Sequence, residues 1–198
     1  MTERFTETEQ AIAAELRDSI EAKQATLERE LPMLARIAET VVEALAAGGK
    51  VLVFGNGGSA ADSQHIAAEL VSRFRRERRA LAAIALTTDT SILTAIGNDY
   101  GFEDVFVRQV EALGRPGDVV LAISTSGNSP NVLKAVRRAA ELDMRTVGFT
   151  GDDGGKLRQC VDLCFRVPSF ATPHIQEVHI AAGHAVCEVV ESRFAGRG

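Results

Sequence analysis

Val51-Leu52-Val53-Phe54-Gly55-Asn56-Gly57-Gly58-Ser59-Ala60-Ala61-Asp62-Ser63-Gln64-His65-Ile66-Ala67-Ala68-Glu69 reads as a buried strand, a glycine turn and then a helix. Four consecutive apolar residues suit a parallel strand covered on both faces, and the glycines that follow admit positive φ and close approach of a ligand. Ser59 or Asp62 is expected to cap the helix. His65 and Glu69, four apart, project from one face of it. An imidazole and a carboxylate so placed suggest chemistry.

Outward from this stretch, Leu81–Leu86, Val119–Ile123, Arg145–Phe149 and Val161–Val167 read as four further strands, each separated from the next by helical or turn-forming sequence. Such alternation implies a parallel sheet with helices on both faces and ligands at the carboxyl ends of the strands. Thr87-Thr88-Asp89-Thr90 is expected to cap a short helix ending near Ile96, followed by a loop at Gly97-Asn98-Asp99-Tyr100-Gly101 and a helix carrying Val105, Val107, Val110 and Leu113. Pro130 suits the first turn of a helix after the third strand. The last helix should run from about Thr172 to Phe194. Ahead of the alternation, residues from about 5 to 48 form two helices broken near Pro32, with Ile12, Leu16 and Ile20 at spacing four. This leading pair could cap the sheet or pack on another subunit.

The chain has 198 residues, 45% of them hydrophobic and 25% charged, which suits one domain with one sizeable core over 1–198 and an α/β part at about 50–195. A formal charge of -5 leaves no basic excess to neutralise phosphates, so a general nucleic-acid binder is not expected. The basic run Arg73-Phe74-Arg75-Arg76-Glu77-Arg78-Arg79 is the exception, read as a solvated helix end or as an anion or partner patch. Three cysteines, Cys160, Cys164 and Cys187, offer no CxxC pair. Buried thiols in a reducing compartment follow. With no basic stretch leading into an apolar one, and no run approaching about 18 apolar residues, a cytoplasmic protein without a membrane partner is expected.

Ser124-Thr125-Ser126-Gly127-Asn128-Ser129-Pro130 places several hydroxyls and free backbone N–H groups at a helix start, which is what a phosphate needs. Asn56, Gly57 and Gly58, at the neighbouring strand tip, could hold sugar hydroxyls. A dinucleotide fold is the rival, since Gly55-Asn56-Gly57-Gly58-Ser59-Ala60 fits G-x-G-x-x-A. Asp89 lies too far on for the ribose-binding acid, however, and the serine loop has no place in that fingerprint. On the last helix, Gln176, Glu177, His179 and His184 add amide, carboxylate and imidazole groups, enough for a metal or an acid–base pair. Gln176 and His184 are about 12 Å apart along an ideal helix and some 80° apart around it, so they do not stack. His174 and His179 are assigned to the helix start and to surface or interface packing. Glu69 and His184 suit the proton transfers of an aldose–ketose isomerisation.

GNGGSAADSQHIAAEL, TAIGNDYGF, ISTSGNSPNV and IQEVHIAAGH together resemble the phosphoheptose isomerases of the sugar isomerase (SIS) superfamily, over nearly the whole chain. The resemblance implies a three-layer flavodoxin-like SIS domain, a homotetramer with active sites between subunits, and conversion of sedoheptulose 7-phosphate to D-glycero-D-manno-heptose 7-phosphate. It places the phosphate on Ser124, Thr125, Ser126 and Ser129, and the sugar along Asn56, Gly57, Gly58, Ser59, Asn98, Asp99 and Gln176. It also implies one zinc ion per subunit on His65, Glu69, Gln176 and His184, with Glu69 and His184 moving protons. One departure is visible, since His174 stands where the family commonly has arginine. Two other readings stay open, a non-catalytic SIS protein that binds DnaA and an isomerase of a shorter sugar phosphate such as arabinose 5-phosphate.

Overall fold

The computed structural model describes residues 6–196; positions 1–5, including the expected helix start at residue 5, and 197–198 lie outside the described residues. Helices α1 (Glu7–Arg29) and α2 (Leu31–Ala46) lead into strand β1 (Val51–Gly55) and helix α3 (Gly58–Val71). Strand β2 (Ala83–Ala85), helices α4 (Thr90–Asp99) and α5 (Val107–Leu113), strand β3 (Val119–Ile123) and helix α6 (Pro130–Glu141) follow. Strands β4 (Arg145–Thr150) and β5 (Leu163–Arg166) and helix α7 (Thr172–Phe194) complete the fold. All strand pairs are parallel, in the order β2-β1-β3-β4-β5. That is the flavodoxin-like order, not the dinucleotide-binding one.

Each central strand is buried on both faces, so its residues divide by parity between two apolar layers. Val51, Val53, Val119, Leu121, Ile123, Val147 and Phe149 face α2, α3 and α7. Leu52, Phe54, Val120 and Ala122 face α5 and α6, with Leu93 and Ile96 of α4 packed at the margin. The result is three layers, with α1 added outside the first through α7. The termini obey local rules: Thr6 and Glu9 form a capping box on α1, Asp89 caps α4, and Pro32 and Pro130 sit in first turns. Among the described residues no helix is long and apolar enough to cross a membrane.

Several expectations need correction. Neither Ser59 nor Asp62 caps α3, whose N-cap is Gly57; Ser59 is buried inside the first turn, where its carbonyl accepts the Ser63 hydroxyl. The expected loop at Gly97-Asn98-Asp99 is the last turn of α4, because the Asp89 cap launches a helix that a single glycine does not stop. Val105 precedes α5 rather than belonging to it. The second and fifth strands are shorter than the apolar runs that announced them. The basic run lies beyond α3 rather than at its end, and most of it is solvated as expected, but the Arg78 side chain is buried against Glu191. His179 belongs to the core rather than to a surface.

His179 packs against the Phe149–Phe165 pair, with one ring nitrogen 3.1 Å from the Thr150 carbonyl. Burial lowers its pKa to about 4, against a partial opposing effect of that hydrogen bond. On acidification the unfolded chain therefore takes up this proton near pH 6.5, well before the native state does. The stabilisation is complete above that pH and is lost progressively down to about pH 4. Denaturant titrations across this interval should show His179→Gln escaping a loss of about 3 kcal/mol that the parent chain suffers.

Candidate functional site

The carboxyl ends of β1 and β3 carry the two polar loops. In the first, the Asn56 side chain forms a reciprocal amide pair with Asn131, both bonds being 2.9 Å. Asn131 is itself buried in the first turn of α6 and accepts the Val132 N–H, so its orientation is fixed. Sequence reasoning missed this residue; an amide directly after Pro130, in the first turn of a helix, was the available signal. In the second loop the Ser124 and Ser129 hydroxyls lie 3.0 Å apart, and Ser126 Oγ accepts the Asn128 N–H. Thr125 is half-buried and Ser126 exposed.

A third loop braces the serine loop from the β4 side. Gly151 N–H donates to Thr125, Leu157 N–H to Gly127, and Lys156 N–H to the Asn128 side chain. Gly127 has φ of +62°, and a Cβ there would lie 2.2 Å from the Gly154 carbonyl. Only glycine fits both the conformation and the contact. A cavity of about 220 Å³ opens between Thr125, Ser126, Asp152 and Phe170, and one of about 160 Å³ lies beside Asn56 and Gly57. Larger hollows of about 450 and 410 Å³ run between α2 and the β4–β5 edge and are lined by none of the expected site residues.

Helices α3 and α7 run side by side in the same direction, each having left the carboxyl end of its strand. Gln176 meets Gly58, Gly183 meets Ile66 and Glu191 meets Phe74, so the two helices stay in step. A Cβ at Gly183 would lie 2.8 Å from Ile66 Cδ1. This close approach brings His184 Nε2 to 3.1 Å from His65 Nε2, which is 3.1 Å from Glu69 Oε1. Donor atoms of His65, Glu69 and His184 all lie within 4.8 Å of one another. Gln176 stands apart from them, about two turns of α3 before His65. Beside Glu69 the buried Cys187 thiol has its pKa pushed up to about 12, chiefly by burial and further by the Glu69 charge.

Asn98 and Asp99 hydrogen-bond each other on the exposed end of α4, joined to neither cluster. His174 sits within 3.3 Å of Glu15 and ties α1 to the start of α7.

The SIS domain family model matches residues 14–151. A phosphoheptose isomerase of Roseiflexus sp. (strain RS-1) is 64% identical over 177 residues, covering 89% of this chain and 90% of the relative. The chain belongs to the phosphoheptose isomerase family. Solved structures of phosphoheptose isomerases from Neisseria gonorrhoeae and Francisella tularensis superpose with TM-scores of 0.88 and 0.91, at 49% and 40% identity. They are matched over 92% and 94% of this chain and 98% and 100% of theirs. The protein is thus a sugar-phosphate isomerase, and the DnaA-binding alternative is set aside.

For a member of this isomerase family, two imidazoles and a carboxylate converging on one point form a donor set that suits zinc. Bonds of about 2.0–2.1 Å from one ion can reach two nitrogens at the His65–His184 separation. In the strand-tip loops, Asn131→Ala should free the Asn56 amide and cost about 1 kcal/mol of sugar-phosphate binding. Steady-state kinetics should then show KM raised about fivefold, with kcat little changed.

Proposed function

We propose that the chain interconverts sedoheptulose 7-phosphate and D-glycero-D-manno-heptose 7-phosphate, with Glu69 and His184 as the proton-transfer groups. The convergence of His65, Glu69 and His184 carries this reading, supported by the family and by a serine loop suited to a phosphate. Formation of the cis-enediolate requires removal of a proton from C1 of the ketose, and Glu69 is the carboxylate available as base. His184 moves the proton between the two oxygens, and the carbon-bound proton returns from Glu69 to C2. His65 Nε2 lies 3.1 Å from both the Glu69 carboxylate and the His184 ring nitrogen and so links the two groups. Zinc bound to His65, Glu69 and His184 would polarise the two substrate oxygens. Gln176, beside Gly58, is better placed for the sugar or for a fourth ligand contributed after a side-chain rearrangement.

Ser124, Thr125, Ser126 and Ser129 would hold the phosphate with the α6 N-terminus, and Asn56, Gly57, Gly58 and Ser59 the sugar. Ser59 would do so only through its backbone, since its side chain is buried. The exposed Asn98–Asp99 pair would join from a neighbouring subunit. An isomerase of arabinose 5-phosphate is less well supported, because the high-identity relatives are phosphoheptose isomerases.

Self-association also belongs to this reading. Ile12, Leu16 and Ile20 are 56%, 61% and 65% exposed along one stripe of α1, too much apolar surface for one helix to leave in water. A groove of about 240 Å³ continues it through Leu27, Leu31, Ala181 and Ala185, the last adjoining His184. A homotetramer packed through this surface would cover the open side of the catalytic cluster. The reading also places the enzyme in the cytoplasm.

Turnover of sedoheptulose 7-phosphate by the purified chain is the direct test. Glu69→Gln should lower kcat by about 10²–10⁴-fold while substrate binding, followed calorimetrically, persists. Retention of near-normal turnover would remove Glu69 from the mechanism. Independently, Leu16→Glu should convert the oligomer to smaller species in light scattering, since each buried leucine contributes about 1.5–3 kcal/mol.

A further inference from the structure

The basic segment that follows α3 has a role that neither of its sequence readings supplies. Every arginine in it is already engaged. Arg73 pairs with Glu77 at 3.2 Å, Arg75 and Arg76 reach Glu188, and Arg79 lies over the Phe194 ring while donating to Leu45. Arg78 and Glu191 are each 1% exposed and approach to 3.7 Å. No guanidinium of this segment is left over for an anionic ligand.

The centre of the segment is held from α7. The Glu191 carboxylate accepts three consecutive backbone N–H bonds, from Phe74, Arg75 and Arg76, at 2.7–2.8 Å. Burial opposes ionisation of this carboxyl, but the three amides and Arg78 outweigh it and hold the pKa below the usual range. Arg78 in turn donates to the carbonyls of Glu69, Ser72 and Arg79. Its 2.7 Å bond to Glu69 ties down the turn of α3 that carries the carboxylate.

Held this way, the Phe74 ring stacks on the His184 imidazole, with centroids 5.4 Å apart and planes inclined by 30°. The Arg75 guanidinium covers Phe74, its carbon 4.8 Å from the ring centroid. The His65 ring meets His184 edge-on at 4.8 Å. His184 is therefore confined between an aromatic plate and a second imidazole. A side chain on a helix face open to solvent would otherwise sample several rotamers.

We propose that Phe74 is a positioning residue for His184, locked in place by Glu191, and that Arg78 does the same for the Glu69 turn. This inference rests on the catalytic assignment of Glu69 and His184 given above. Partners that orient such groups are commonly worth about 10–100-fold in metal affinity or activity. The serine loop lies at the strand tips and does not touch this segment, so phosphate anchoring should be insensitive to it.

Phe74→Leu keeps an apolar side chain and the Glu191 cradle while removing the plate. In the full-length oligomer it should lower kcat about tenfold with KM changed less than about twofold. Zinc affinity of the metal-free protein, measured by competition with a chromophoric chelator, should fall by about the same tenfold. Phe74→Tyr, which restores a ring, should recover both. Glu191→Gln probes the anchor but leaves Arg78 as an uncompensated buried charge and risks misfolding, so the Phe74 variants are the decisive ones. A folded Phe74→Leu oligomer with kcat and zinc affinity both unchanged would overturn the proposal, provided Glu69→Gln is inactive. If Glu69→Gln also remains active, the catalytic reading itself fails.

Discussion

The contact of α7 on α3 at Gly183 and Ile66 is the constraint on which the His65–Glu69–His184 cluster depends. Two parallel helices covering the same face of the sheet will pack somewhere, but only close approach at one register puts His184 opposite His65. A side chain at position 183 would drive the axes apart and break the three-way convergence before it disturbed the sheet. The hydrophobic core and the chemistry share this interface, since Ile66, Ala67 and Ala182 are buried within a position or two of the groups that face outward. Stability of the layer and spacing of the donors are consequently set by the same atoms.

The strand tips follow a different logic. There the backbone does most of the positioning, and the serine loop takes its shape from a second glycine-rich loop whose amides satisfy its carbonyls. Side chains are paired with each other, as Asn56 with Asn131 and Ser124 with Ser129. Such pairing pre-orients polar groups at little cost, because every hydrogen bond exchanged for a ligand contact was already formed in the protein.

Much of this is legible in the chain itself. Apolar runs bounded by glycine, proline and hydroxyl residues announce five strands, and those of β1 and β3 are unbroken because strands covered on both faces cannot alternate with polar residues. The i,i+4 spacing of His65 and Glu69 likewise predicts their contact. What escapes are relations between elements. No periodicity reveals that Gly58 faces Gln176, or that Glu191 collects amides more than a hundred positions away, since helix register is decided by packing. Local composition also misleads where tertiary context overrides it: Gly97 looks like a stop yet lies within a capped helix, and a run of arginines looks wholly solvent-facing though the Arg78 side chain is buried. The separation of Gln176 from His184, which helix geometry alone requires, is present in the fold.

Cys187 adds a consequence for durability. A sulfur so close to imidazole and carboxylate donors would ordinarily compete for soft metals and react with peroxide, because thiolate is the form that does both. Its ionisation is suppressed so far that the neutral thiol persists at any physiological pH, packed as a small hydrophobe. The sulfur therefore sits beside the His65–Glu69–His184 cluster as packing, and the cluster's own donors are nitrogen and oxygen.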